Sequence, residues 1–402
     1  MPLGEVCQIM PPKAEARQRV SASTLVSFVP MEDLGIDQKI LMATQSKPLT
    51  NVVGSYTYFA DGDVLLAKIT PCFENGKLGI AANLANGIGF GSSEYIVFRP
   101  NSSVDKEWLY YFLSRESFRE EGATRMSGAV GHKRVAKEFI GTYSIPIPPL
   151  HVQQRIVNIL DEAFAAIAIA KSNVEENIGN ASAIFDSYTQ SLFTRLGSGW
   201  DNKPKTLSEL CELIVDCEHK TAPTQVEGIP SIRTPNIGKG VLLLDGVYCV
   251  SNDTYNAWTR RAKPRGGDLI LAREAPAGNV AVIPDDLQVC LGQRTVLIRP
   301  KKEIFDSHFL AALILQPTVQ GKLLAHSRGA TVQHVNLKDI RALDIGTIPS
   351  IAEQKLVVAK VSRIREEIER LTSAYKRKLA ALETLKKSLL NRAFSGQLQS
   401  KL

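Results

Sequence analysis

The sequence predicts an α+β protein: two globular α/β domains separated by a long antiparallel two-helix coiled coil, with a pseudo-two-fold internal repeat. Three observations predict it. Segments recur in the same order at a spacing of about 200 residues. Short runs rich in Val, Ile and Leu, bounded by Gly, Pro and Asp, have strand character. Two long stretches of helical periodicity open just after prolines. The implied boundaries are a globular domain over 1–150, a central long helix over 151–196, a second globular domain over 197–350 and a C-terminal long helix over 351–402.

The repeat is read directly from the residues. LGEVC at 3–7 returns as LSELC at 207–211, and GDVLLAKITPCFENGKLGIA at 62–81 as GDLILAREAPAGNVAVI at 267–283. EYIVFRP at 94–100 returns as RTVLIRP at 294–300, and SGAVGHKRVAKEF at 127–139 as RGATVQHVNLKDI at 328–340. IPIPPLHVQQRIV at 145–157 answers to DIGTIPSIAEQKLV at 344–357, and SLFTRLGSG at 191–199 to SLLNRAFSGQ at 388–397. One such match is compatible with chance; six in register are not.

Within each globular part, VLLAKI, YIVFRP, LILARE and TVLIRP are the strands, and the leading ones follow Gly62-Asp63 and Gly267-Asp268 turns. Short amphipathic helices are expected at 105–121 and 306–325. GIGFG at 87–91 runs into a strand and reads as a turn, not a nucleotide cradle.

The long helices begin after Pro148-Pro149 and after Pro349. In the second, Val357, Val361, Ile364, Ile368, Leu371, Tyr375, Leu379, Leu382, Leu385 and Leu389 form one stripe over about five heptads. In the first, Ile156, Leu160, Ala163, Ile167, Val174, Ile178, Phe185, Tyr188 and Leu192 do so less strictly, and Gly179 weakens the pattern. About 44 residues at 1.5 Å each extend roughly 65 Å, too long for a core helix. Two such stripes in one chain most simply bury each other. The first helix carries the chain away and the second returns it, so the globular domains are expected at opposite ends.

Composition narrows the function. The chain has 402 residues, 44% of them hydrophobic, and a net charge of +7, which fits an acidic partner such as nucleic acid. No apolar run reaches membrane-span length and no leader pattern opens the chain, so a cytoplasmic protein is expected. Cys7, Cys72, Cys211, Cys217, Cys249 and Cys290 form no CxxC pair and fit reduced thiols. Cys211, Cys217 and His219 lack the spacing and fourth ligand of a zinc site, so no metal and no catalytic residue is assigned. The phosphate-loop, GxSxG and HExxH motifs are missing, as is the Asn- or Asp-Pro-Pro-aromatic motif of amino-methyltransferases. Recognition is the expectation, not catalysis.

Basic and amide residues in the loops are the candidate DNA contacts. In the first domain they are Lys68, Asn75, Lys77, Arg125, His132, Lys133 and Arg134. In the second they are His219, Lys220, Arg233, Asn236, Arg273, Arg294, Arg328, Gln333, His334 and Asn336, with Lys239, Arg260, Arg261, Lys263 and Arg265 nearby. Any one of them is equally at home as a solvated surface charge. The frames match while these loops diverge, as suits two different short sequences read a fixed distance apart.

Over essentially its whole length the chain resembles the specificity subunit of type I restriction–modification enzymes. The resemblance rests on the two-fold layout, on IPIPPLHVQQRIV and IPSIAEQKLV opening the long helices, and on KKSLLNRAFSGQL closing the second. DCEHKTAPTQVEGIPSIRTPNIGKG at 216–240 also looks like the start of a target recognition domain. The resemblance implies that each globular domain reads one half of a split double-stranded DNA target. It implies that the helices set the gap and dock two modification subunits, and that two restriction subunits join the full complex. Cofactors are then none in this chain, with S-adenosylmethionine, ATP and Mg2+ in the partners. One departure is IMPPKAEARQ, which stands where the second copy has LIVDCEHKTAP, so the first domain is expected to be trimmed or differently built there. The competing readings are a subunit serving only a methyltransferase and a coiled-coil scaffold that does not touch DNA.

Overall fold

The computed structural model describes residues 1–129, 131–197, 205–325 and 334–398. The chain divides into two compact units, Met1–Glu175 with Lys376–Leu402, and Glu176–Tyr375. The long helices Leu150–Gly197 and Ile351–Phe394 therefore each contribute one segment to each unit.

The first unit is built on an antiparallel sheet in the order Cys7–Ile9, Tyr95–Pro100, Val64–Ala67, Leu78–Ile80. The second repeats it with Cys211–Asp216, Thr295–Pro300, Leu269–Ala272, Val280–Val282. The register repeats as well: Val64 faces Phe98 and Ala67 faces Tyr95, as Leu269 faces Ile298 and Ala272 faces Thr295. The strand runs VLLA and LILA are apolar at every position because both faces are buried. Alternate side chains serve different cores. Val64 and Leu66 join the core under the helices, whereas Leu65 and Ala67 join one on the opposite face. Leu269 and Leu271 part from Ile270 and Ala272 in the same way.

A second sheet in each unit contains a parallel pair, Leu25–Val29 with Ile88–Gly91 and Ile229–Ile232 with Cys290–Leu291. In the first unit it gains the strand Thr57–Ala60 at one edge. The expectation that GIGFG is a turn is thereby corrected. Gly87 closes a turn at φ +66, but Ile88–Gly91 is a strand paired on both sides. A Cβ on Gly89 would meet Phe59 at 2.1 Å, so the glycine is a seat for that ring.

The single helices expected at 105–121 and 306–325 are each two: Lys106–Leu113 and Glu116–Thr124, then Ser307–Ile314 and Pro317–Leu324. Pro317 forces the break in the second unit by holding Gln316 extended. In the first, Arg115 is extended and its Nε donates to the Phe112 carbonyl, closing the helix end.

The two long helices enter the cores at their ends. In the first unit Ile156, Leu160, Leu390 and Ala393 pack with Trp108, Phe98 and Phe112. In the second, Phe193, Val357 and Val361 pack with Phe309, Leu310 and Ile298. Within the first unit Lys386 lies over the Phe164 ring and Lys171 pairs with Glu383, so ascending positions on one helix meet descending ones on the other. Leu160, Ile167, Val174 and Ala181 are buried at every seventh position. The stripe read for the second helix holds less evenly: Leu371 and Leu385 are exposed, while Leu390 and Ala393 are the buried residues of its last turns. Helical spacing marks an apolar face, but the neighbour decides how wide a face is covered.

The helices are fastened to the globular parts by a buried glutamine in each copy. Gln153 Nε2 donates to the Ser103 and Pro148 carbonyls, both at 2.8 Å, and its Oε1 accepts from Asp105 N at 2.9 Å. Gln354 does the same with Ile304, Pro349 and Asp306 N, at 2.8, 2.9 and 2.8 Å. Asp105 and Asp306 in turn cap the following helices.

Candidate nucleic-acid interface

One wall of each unit is assembled from the candidate residues on a shared backbone frame. In the first unit Lys68 N donates to Glu94 O at 2.9 Å and Val135 N to Lys68 O at 2.9 Å. In the second, Arg273 N donates to Arg294 O at 2.9 Å and Val335 N to Arg273 O at 3.0 Å. Lys68 thus corresponds to Arg273, Glu94 to Arg294 and Arg134 to His334. The frame is the same and the side chains are exchanged.

In the first unit the wall joins Lys68, His132, Lys133 and Arg134. Arg134 grips Glu94 through Nε at 2.9 Å and Nη2 at 2.7 Å, and its Nη1 donates to the His132 carbonyl at 3.1 Å. Lys68 Nζ donates to Ser93 O at 2.9 Å and stands 3.9 Å from Glu94. The bonds from Arg134, with the Lys68 charge behind them, hold the Glu94 carboxyl below its ordinary range. His132 and Lys133 are exposed, and the Lys133 carbonyl accepts from Thr70 N at 2.9 Å. Two candidates have other partners and a third stands apart. Lys77 Nζ donates to Met31 O at 2.7 Å, Arg125 pairs with Glu121 at 3.0 Å over the Phe139 ring, and Asn75 is exposed in the turn after Pro71.

In the second unit His219, Arg273, Arg294 and His334 come together. Arg273 is buried and spends its guanidinium on the frame: Nε to Val335 O at 2.9 Å, Nη1 to Asp216 Oδ2 at 2.7 Å, Nη2 to His334 Nε2 at 2.8 Å. His334 Nδ1 meets Glu274 at 2.6 Å, and the other oxygen of Glu274 holds Arg294 at 2.6 Å. His219 stands 3.3 Å from Asp216. Arg233 is exposed and lies against the strand end that leads to Arg294, since a Cβ on Gly292 would meet its Cγ at 2.6 Å. Asn236 holds the turn beside it, accepting from Arg233 N at 3.1 Å. Lys220 is exposed, and Asn336 opens the helix Leu337–Arg341 with its amide 3.3 Å from Asp339. Lys239 pairs with Asp186 at 3.2 Å, and Arg261 donates to the Cys217 carbonyl at 3.1 Å. Arg328 and Gln333 lie outside the described residues.

Sequence reasoning missed the acidic half of this wall. Glu94, Asp216 and Glu274 carry no cationic signal in the sequence, and only the fold brings these carboxylates beside the cations they aim. Sequence reasoning also missed an ion pair between adjacent strands in each unit. Buried Asp63 takes Arg99 at 2.8 Å through both oxygens, and buried Asp268 takes Arg299 at 2.8 and 2.7 Å. The signal was present: Gly-Asp and Arg-Pro recur at the same places in both halves. All six cysteines are free, and Cys7 and Cys211 have their thiols pushed up to about 12 by burial. Among the described residues no helix is long and apolar enough to cross a membrane.

Two copies of one α+β body, each with a polar wall on the same frame and different side chains, define a duplicated recognition protein. The chain belongs to the family of the type I restriction modification DNA specificity domain, whose model matches residues 1–179 and again 199–379. It is 39% identical over 133 residues to the type I restriction enzyme EcoAI specificity subunit of Escherichia coli, which is 33% of this chain and 23% of that subunit. The match therefore spans about a quarter of that relative's length. It is 22% identical over 354 residues to the putative type I restriction enzyme MjaX specificity subunit of Methanocaldococcus jannaschii, covering 85% of this chain and 79% of that one. In fold it is similar to the HsdS subunit from Thermoanaerobacter tengcongensis, with a TM-score of 0.60 at 19% identity, covering 98% of this chain and 96% of that one. It is also similar to a chain from a type I R-M system solved for its assembly and conformational transition, with a TM-score of 0.74 at 19% identity and the same coverage.

Proposed function

We propose that this chain is the DNA specificity subunit of a type I restriction–modification complex, each globular domain reading one half of a bipartite double-stranded target. The observation that carries the reading is the repeated frame with exchanged side chains. Selection for one shared ligand would keep the same groups at Lys68 and Arg273, Glu94 and Arg294, Arg134 and His334, whereas two different half-sites require different ones. Membership of the family in both halves supports it.

The long helices act as an antiparallel coiled coil that sets the gap between half-sites. The seven-residue burial period of the first helix and the Phe164–Lys386 and Lys171–Glu383 contacts support this pairing. Because the helix segments and their glutamine fasteners are alike in the two copies, two identical modification subunits dock on them, and two restriction subunits complete the assembly. Chemistry belongs to those partners, which bring S-adenosylmethionine, ATP and Mg2+; this chain contributes recognition in the cytoplasm.

The test is binding of the full chain, co-purified with its methyltransferase subunit, to a randomised duplex library at several salt concentrations. Selection of one split sequence, with affinity falling as salt rises, is the expected result. Binding without sequence preference, or none, refutes the reading and favours a scaffold.

A further inference from the structure

On the wall of each unit an exposed arginine rests on a partly buried glutamate, but from different places in the frame. In the first unit the arginine is Arg134 and the glutamate is Glu94. In the second the arginine is Arg294, which stands at the Glu94 position, and the glutamate is Glu274, one residue beyond Arg273. The side chains of Arg134 and Arg294 are 46% and 62% exposed, those of Glu94 and Glu274 only 22% and 14%. A partly exposed ion pair adds only a small stabilisation, so stability alone does not account for building this pair twice by different routes.

A guanidinium has five N–H donors. On Arg134, three are engaged by Glu94 and His132 among the described residues, and two remain. On Arg294, Nη1 meets Glu274, which leaves the Nε edge for a ligand among the described contacts. Arg294 also sits at φ +65, a left-handed conformation that sets the direction of its side chain. An arginine fixed at one edge loses little further freedom when its other edge binds. Two parallel donors on a fixed plane match the O6 and N7 acceptors of guanine in the major groove. A phosphate contact needs no such fixing.

We infer that Arg134 and Arg294 are the guanine-reading residues of the two domains, each aimed by its glutamate, and that Arg273 is a positioning residue behind Arg294, acting through His334 and Glu274. This rests on the reading of the chain as a bipartite DNA reader.

The experiment is the same library selection with the full chain and its methyltransferase subunit, comparing wild type with Arg134→Gln, Arg294→Gln and the charge-preserving Arg134→Lys and Arg294→Lys. Each variant is expected to lose preference for one guanine by roughly 10- to 100-fold, Arg134 in one half-site and Arg294 in the other. The lysine variants keep overall affinity better than the glutamine ones but relax the same base, because lysine carries the charge without the fork. Glu94→Gln and Glu274→Gln weaken preference at those same guanines. The inference is overturned if wild type selects a half-site without guanine, if both arginines act on one half-site, or if the lysine variants leave the motif intact. It is also overturned if binding falls evenly across sequences with a salt slope smaller by about one, as for a phosphate contact. Failure of wild type to select any sequence refutes the DNA reading itself, a result distinct from all of these.

Discussion

Gln153 and Gln354 are uncharged, buried and fully bonded, and each ties three backbone groups of a globular part to the start of a long helix. Methionine fits the space but leaves those groups without partners, at about 1–3 kcal/mol for each group left buried and unpaired. Gln153→Met is expected to speed amide exchange around Ser103 and Pro148 while the Ile304–Asp306 region is unchanged, and Gln354→Met should do the reverse; equal loosening of both would contradict independent fasteners. At Glu94 the expectation concerns pH. Its folded carboxyl titrates below the ordinary carboxylate range because Arg134 donates to it. The stabilisation is therefore present above the unfolded value of about 4.3, and it is lost as pH falls through the depressed folded value. Urea midpoints of wild type and Glu94→Gln should differ at pH 6 and converge on acidification below about pH 4; a gap that widens with acid has the wrong sign. The glutamines are legible in the repeated segments of the sequence, but their partners are not, and Glu94 has no counterpart because Arg294 stands in its place. Gln153 sits in IPIPPLHVQQRIV beside an exposed Gln154, and only the fold shows which of the two turns inward.

The long helices were the clearest elements to read, because a spacing of three and four is a property of the chain itself. Gly179 weakens the helical pattern in the sequence, yet the helix runs through it unbroken, exposed and with nothing within 4 Å of where a Cβ would stand. Gly179→Ala is therefore expected to stabilise the second unit by about 0.5–1 kcal/mol, since alanine fills no occupied space and narrows the unfolded ensemble. A rise of a few degrees in thermal midpoint checks this, and a fall would mean that the helix needs to bend there. The short elements were harder. The strand Ile88–Gly91 looks like a turn because glycine is a poor strand former in isolation; two flanking strands and the Phe59 ring overrule that preference. The break before Glu116 had no proline to announce it, unlike the one before Pro317.

At the scale of the whole chain, duplication separates two demands. The helix segments stay alike and the walls on the globular parts diverge, which under the proposed function suits identical partners for the helices and unlike half-sites for the walls. Adding seven residues to both long helices at corresponding places preserves the apolar stripe. The selected half-sites should then be unchanged, and only the number of base pairs between them should shift. A change in the half-sites themselves would place recognition in the helices. By itself the sequence determined that the chain is a duplicated α+β protein with two long helices. Repeats and periodicities are local records of burial and survive without knowledge of the partner. Only the tertiary structure decided which cations face outward and which are spent inside. Arg273 and Arg294 look alike in the sequence, yet one is enclosed by Asp216, His334 and Val335 while the other is exposed on Glu274. That difference depends on carboxylates brought from distant segments, and no local pattern encodes their arrival.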